Sequence, residues 1–495
     1  MELRPYQSEA VQALRLSMAK GNKRVILSSP TGSGKTEIGF EIIRGAQAKG
    51  KRVAFLANRI HLVDQTCRRL SEAGFLHGII QGENTAAPWR SVLVCSIQTV
   101  AKRGLPNVDL LVIDEAHACA GTKAYHGIMK DIPVIGLTAT PYSPGLGRHI
   151  PELDGPLFQD VVTAARIKDL IRDGFLVSAD IWAPGEPDLS EVKVTAGDYN
   201  ETQLGEAVNT AELVGDIVTH WFRLAHNEAT VVFATNIAHS KHICRQFEEA
   251  GVKAEHLDCY TTDEDRRAIL ARVSAGETKV ICNVGVLAEG WDFPACKVLV
   301  LARPTKSLIR YLQMAGRVLR PFPGKERALI LDHSGVVIRL GFPWENFSRP
   351  LCQKKPGESS SKEQERPEPL PKKCPKCSFV KPPKTPVCPE CGFEATKPCD
   401  IEATDGNLVP LTEIKETKAI RTLKGMGRQS IYAQLLSIAA AKGYAKGWAQ
   451  HKYKVIWGQW PNHQDEVHEA PSPEVLAWVR SQQIRFIKGK AKANG

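Results

Sequence analysis

Three clusters in this chain combine residue types and spacings that can do chemistry. The first is SSPTGSGKT, from Ser28 to Thr36. It follows the apolar run 25–28 and opens a helical stretch, the setting in which a glycine-rich loop wraps phosphates. Gly32 and Gly34 let the backbone curl, so that the loop Pro30, Thr31, Gly32, Ser33, Gly34 turns its N–H groups toward phosphate oxygens. The helix that follows adds a favourable dipole. Lys35 is expected to reach the β- and γ-phosphates and Thr36 to ligate Mg²⁺. Ser29 stands where the first glycine of such a loop is usual.

The second cluster is VIDEAHA, from Val112 to Ala118. Asp114, at the end of an apolar strand, is placed to hold Mg²⁺ through water. Glu115 beside it points differently and can polarise an attacking water as general base. The third is Cys374-Pro-Lys-Cys377 with Cys388-Pro-Glu-Cys391. Two CxxC turns present four thiolates to one ion, which fills a tetrahedron and leaves no open catalytic position. So short a segment cannot build a core, and metal binding supplies its folding energy. Structural zinc is the expectation, with Fe–S ligation or redox thiols as alternatives.

These clusters need elements to hold them. Between residue 25 and about 335, short apolar strands alternate with longer helical stretches. The strand candidates are 25–28, 53–57, 110–113, 134–137, 231–234, 280–283, 298–301 and 329–331. Continuous apolar strands separated by helices imply parallel sheets covered on both faces. The length holds two α/β lobes, read as 1–190 and 200–342, with an aperiodic break at 184–202. Residues 343–373 read as a disordered linker, being most polar from Gln353 to Lys373. The cysteine module at 374–396 and a basic, aromatic helical region at 405–495 follow. In that last region Ile431, Leu435, Ile438 and Ala439 share one helical face, and Lys442-Gly443 breaks the helix. Tyr444, Trp448, His451, Lys452, Tyr453, Lys454, Trp457 and Trp460 mix rings with positive charge. Core packing and base stacking both fit that mixture.

The formal charge of +11 and pI ≈ 9.0 lean toward a polyanionic partner. No apolar run reaches eighteen residues and the N-terminus lacks a secretory pattern, so a cytoplasmic protein is expected. Thirteen cysteines, nine of them scattered singly, argue for a reducing compartment rather than a disulfide framework.

The segments LRPYQ, SSPTGSGKT, FLANRIHLVDQ, CSIQTV, VIDEAH, GLTATP, FATNIAHS, VICNVGVLAEGWDFP and QMAGRVLRP occur in this order. That series resembles the superfamily-two helicases of the DEAD/DEAH-box type, and within them the bacterial RadD-type and related phage or prophage proteins. The resemblance covers residues 1–340 and implies two RecA-like lobes with ATP between them. It also implies roles for individual residues. Arg4 and Gln7 would recognise adenine, and Thr138 and Thr140 would couple the nucleotide site to the nucleic-acid track. Gly290, Asp292, Gln313, Arg317 and Arg320 would come from the second lobe, with Arg317 and Arg320 as arginine-finger candidates. Nucleic-acid contacts are expected from Arg59, Gln65, Ser96, Gln98, Thr99, Thr235 and Asn236, through phosphates rather than base edges.

The expected activity is ATP-driven strand separation or translocation on nucleic acid, with DNA in repair, recombination or replication implied by the resemblance. The rival expectations are a double-strand translocase that separates nothing, and an ATP-gated adaptor whose cysteine module and tail recruit a repair or replication protein.

Overall fold

The computed structural model describes residues 3–493 other than 186, 196, 289–290, 346, 348–349, 355–368 and 395–417, and only the backbone at 61, 211, 418, 446 and 484–493. It divides into two units, 1–396 and 397–495. Among the described residues no helix is long and apolar enough to cross a membrane.

The first lobe is an eight-stranded sheet. Its spatial order is Asp160–Thr163, Arg24–Ser28, Val134–Thr138, Leu110–Asp114, Val53–Ala57, Val92–Ser96, Gly78–Gln81 and Asn84–Ala86. All pairs are parallel except the terminal hairpin formed by the last two strands. Alternation along a strand feeds two cores, one on each face. Val25 and Leu27 join one cluster and Ile26 the other. Parallel neighbours in register bring their carboxyl ends to one edge. Ser28 pairs with Thr138, and Asp114 with Leu137, which sets the phosphate loop, the acidic pair and the TAT segment side by side.

The second lobe is a six-stranded parallel sheet ordered Ser178–Trp182, Arg327–Asp332, Val298–Leu301, Thr230–Phe233, Val280–Asn283 and Ala254–Leu257. Here the expected lobe boundary needs correction. The strand Ser178–Trp182 lies inside the segment read as the first lobe, yet it pairs with Arg327–Asp332. That partner is so distant in sequence that no local pattern could announce it.

The linker expectation also changes at its start. Phe347 packs against the second-lobe core, and Leu351 packs against the first. The Gly147 N–H donates to the Cys352 carbonyl at 2.8 Å. Phe342, Phe347, Leu351 and Cys352 therefore bring the chain back across both lobes. The span 355–368 lies outside the described residues.

The cysteine module is a small hairpin, Lys372–Lys373 against Val380–Lys381. It continues the exposed edge of the second sheet. Trp182 bridges to Phe379 with the rings 5.1 Å apart, Ala183 N–H donates to the Ser378 carbonyl at 2.9 Å, and Val380 is buried in the lobe core. A bare sheet edge is thereby covered.

The second unit has helices Lys418–Gly425, Arg428–Ala441, Lys446–Trp457 and Pro473–Ala493. Ile431, Leu435, Ile438 and Ala439 are buried together, and Gly443 with φ +66° turns the chain after Ala441. Residues 405–417 of the expected helical region lie outside the described residues.

Candidate active site

The loop after Arg24–Ser28 is held by its own short polar side chains. Ser29 and Ser33 are fully buried with their Oγ atoms 2.6 Å apart, and Ser33 Oγ donates to the Pro30 carbonyl at 2.6 Å. Ser29 is not among the residues with positive φ, whereas Gly32 (φ +86°) and Gly34 (φ +78°) are. Only the latter two positions need glycine. The unusual serine thus supplies a hydrogen bond where backbone freedom is not required.

Tyr6 and Gln7 brace the loop from outside. Tyr6 Oη donates to the Ser33 carbonyl at 2.6 Å. The Gln7 amide donates to the same carbonyl at 3.0 Å and accepts from Arg4 N–H at 2.9 Å. Arg4 lies 4.7 Å over the Phe175 ring. Both residues expected to read adenine are therefore committed within the protein. In this arrangement Gln7 shapes the loop, and a base contact would require it to give up the Ser33 carbonyl.

Lys35 opens the helix Lys35–Gln47 and points back at the acids, 2.9 Å from Asp114 and 2.6 Å from Glu115. Burial alone would lower its pKa, but the two carboxylates outweigh it and keep the ammonium protonated. Burial pushes the Glu115 carboxyl up, while Lys35 and His117 outweigh that and hold it well below the ordinary range. Asp114 has the same cation but faces Glu115, and burial leaves its pKa raised. Glu115 takes a left-handed backbone, φ +49° and ψ +48°. A non-glycine residue there is strained by roughly 1–3 kcal/mol, and the turn separates its carboxylate from that of Asp114.

The second lobe closes the cleft. Its walls include Thr31, Lys35, Asp114, Glu115, Gln313 and Arg320, around a volume of ≈ 290 Å³. Arg320 pairs with Asp292, and its Cγ stands where a Cβ on Gly32 would lie only 3.0 Å away. Its Nε is buried in the cleft without a hydrogen-bond partner. Such a donor suits an anionic oxygen. Arg317 is used differently. It donates to the carbonyls of Ala288 and Trp291 and so anchors the loop carrying Asp292. Of the two finger candidates, Arg320 is the one beside the phosphate loop. Gly290 lies outside the described residues.

The lobes touch through glycine. A Cβ on Gly316 would fall 2.5 Å from Thr31 Cβ. Gly316→Ala is expected to prop the cleft open and lower ATP turnover at least about tenfold, since small displacements of reacting groups carry such costs. Thermal melting should be nearly unchanged. Turnover equal to the parent protein would show that this closed contact is not used.

Two residues emerge only from the structure. Arg69 donates to Thr36 Oγ1 and Glu37, both at 2.9 Å, and lines the cleft. His117 Nδ1 lies 3.3 Å from Glu115 and 3.1 Å from Thr138 Oγ1, joining Glu115 to the TAT segment. The Thr138 hydroxyl in turn accepts from Thr140 N–H at 3.1 Å. His117 stood in the DEAH string, so its type was visible. Arg69 carried no motif signal.

The expected nucleic-acid contacts are dispersed. Gln65 lines the nucleotide cleft instead, because Leu62, Gln65 and Arg69 share one face of the helix Ile60–Glu72. Ser96, Thr99 and Thr235 are buried. Their hydroxyls bond locally to Gln98, to Gly82 N–H and to the Ala302 carbonyl. Asn236 caps its helix by accepting from His239 N–H at 2.8 Å. Arg59 and Gln98 remain exposed.

In the cysteine module the four sulfurs lie within 4.8 Å of one another, with Cys374–Cys391 and Cys377–Cys388 both at 3.7 Å. A tetrahedron of thiolates with bonds of about 2.3 Å has edges of about 3.8 Å. The donor set therefore fits a tetrahedral metal without rearrangement.

Two parallel-sheet lobes sharing a phosphate loop, an acidic pair and a facing arginine define a two-lobed nucleotide hydrolase with a cleft lined by both lobes. Residues 1–143 match the family model for the type III restriction enzyme res subunit, and residues 211–321 match the helicase conserved C-terminal domain. The 51.5 kDa protein of a Lactococcus phage (isolate 7-9) is 28% identical over 383 residues, covering 74% of this chain and 78% of the phage protein. Saccharomyces cerevisiae IRC3, provisionally named an ATP-dependent helicase, is 29% identical over 67% of this chain. That match spans only 51% of the yeast protein. The DNA 3'-5' translocase XPB2 of Sulfurisphaera tokodaii is 27% identical over 67% of this chain and 81% of its own length. The ATP-dependent Type ISP restriction-modification enzyme LlaBIII, solved bound to DNA, shares the fold, with TM-score 0.50 and 18% identity over 67% of this chain and 27% of its own. The chain belongs to the superfamily-two helicases, the ATP-dependent helicase and translocase class.

Proposed function

We propose that the protein is a DNA-stimulated ATPase that moves along DNA by opening and closing its two lobes. The observation that carries this is the meeting of Arg320, from the second lobe, with the Gly32 turn of the phosphate loop. Hydrolysis that needs a group from each lobe is tied to closure, so each turnover becomes a stroke. ATP would be held by the loop from Pro30 to Thr36, with Lys35 released from the carboxylates to meet its phosphates. Thr36 and Asp114 supply oxygen donors suited to Mg²⁺, which would neutralise phosphate charge when bound. Glu115, held ionised, orients and deprotonates the attacking water. His117 ties that base to Thr138, and so to the segment that senses the track.

Measuring ATP turnover with single-stranded, duplex and forked DNA and with RNA tests this reading. Stimulation by DNA above RNA is expected, and no stimulation by any nucleic acid overturns it. Translocation without strand separation is a second reading, favoured by one observation. Among the described residues the second-lobe hairpin Val194–Thr195/Asp198–Tyr199 has only two residues per strand. It agrees with the likeness to a named translocase. A labelled forked duplex separates the two: ATP consumption without a released strand marks the translocase. A bacterial cytoplasm fits the likeness to a phage protein, and a role in repair or replication rests on the resemblance of the motif series to the RadD-type helicases.

The four cysteines would hold a structural zinc ion. Removing metal with a chelator is expected to unfold 374–391, uncover the Trp182 edge and lower the melting temperature by several degrees. Elemental analysis should find one zinc per chain. A metal-free protein with the same melting curve would exclude the assignment.

A further inference from the structure

The helix Lys446–Trp457 sorts its aromatic residues. Tyr453 is 1% exposed and belongs to the core of the C-terminal unit, against which Trp448 and Trp457 both pack while partly buried. Trp448 also lines, with Tyr444, His451 and Lys452, an open pocket of ≈ 610 Å³, closed on one side by Gln483 of the helix Pro473–Ala493. His451 and Lys452, three and four residues after Trp448, share one side of the helix Lys446–Trp457 with it, and Tyr444 precedes that helix in the turn. The Tyr444 and Trp448 rings are 5.1 Å apart and tilted by 43°, with Lys452 Nζ 6.0 Å from the Trp448 ring. Gln483 Nε2 donates to Tyr444 Oη at 3.2 Å and leaves its amide beside the rings. A second ring with a cation follows, Lys454 Nζ 4.4 Å over Trp460.

Among the described residues no carboxylate lines this pocket, and the helix Lys446–Trp457 contains no Asp or Glu. Planar rings, with a lysine against Trp448 and another against Trp460 and an amide nearby, complement a chain of flat bases joined by phosphates. An apolar protein partner would be met poorly, since Trp448 and Trp460 each carry a charged neighbour.

We propose that this pocket binds single-stranded DNA by stacking an unpaired base on Tyr444 and Trp448, with Lys452 and Lys454 meeting the phosphates. The inference rests on the nucleic-acid reading above and adds a contact surface that the ATPase lobes do not supply.

The test uses the full chain, fluorescence anisotropy with labelled oligothymidylate, and the same oligonucleotide with abasic sites. Tyr444→Ala and Lys452→Glu are partly solvent-facing changes, and melting curves check that both variants fold. Tyr444→Ala is expected to weaken oligothymidylate binding about tenfold, since stacking contributes roughly 1–3 kcal/mol per base. It should bind the abasic strand as the parent does. Lys452→Glu should weaken both ligands. ATP turnover at saturating DNA should stay at the parent's level in both variants. Parent-like oligothymidylate binding by both variants, with DNA stimulation of the ATPase intact, overturns the pocket and leaves the motor. A parent protein that neither binds nor responds to DNA overturns both readings.

Discussion

Arg320→Ala is expected to lower kcat for ATP about 10³-fold or more, the scale of losing a group that neutralises transition-state charge on a phosphoryl centre. KM should change little, because the phosphate loop and Lys35 lie on the other lobe and stay intact. Single-turnover hydrolysis set against the titration of a fluorescent ATP analogue separates the two effects. Arg320→Lys should recover only part of the rate. A point charge replaces the planar fork, whose Nε is the donor left unpaired in the cleft. Arg317→Ala should behave differently. Removing it leaves the carbonyls of Ala288 and Trp291 without their guanidinium, so it should lower the melting temperature as well as the rate. A kcat within threefold of the parent for Arg320→Ala would remove the second lobe from the chemistry.

Glu115→Gln is expected to reduce turnover by about 10²–10⁴-fold, the range associated with losing a general base. The amide keeps the shape and the left-handed backbone but cannot take a proton. ATP should bind more tightly, because one negative charge facing the polyphosphate has gone and Lys35 has one fewer carboxylate to leave. Before nucleotide binds, Lys35 and His117 keep Glu115 ionised below the ordinary carboxylate range. Tighter nucleotide binding with lost turnover is the signature to look for. Unchanged turnover would assign the base elsewhere.

Much of this site could be read from residue order alone. The phosphate loop, the acidic pair, the two arginines in the turn after the helix Leu308–Ala315 and the CxxC pairs are local patterns, each set by the chemistry of a few adjacent residues. Apolar runs such as 53–57 and 298–301 are strands because both faces are buried, and burial on both faces shows in one short stretch. What could not be read that way depends on contacts far apart in sequence. Ser178–Trp182 joins a sheet whose neighbouring strand lies near residue 330, and Leu351 returns to the first lobe. Arg69 reaches Thr36 across two helices, and Gln65 turns inward with it.

Hydroxyls at strand ends look alike as capping groups or as phosphate contacts. Only the fold shows that Ser96, Thr99 and Thr235 are already spent on local bonds. The same holds for the aromatic helix, where composition left core and surface equivalent until packing placed Tyr453 inside and Tyr444 outside. Chemical identity is a property of each residue and its near neighbours, and it survives in the linear order. Which groups share one cleft is settled by how sheets stack, and that information exists only once distant segments have packed.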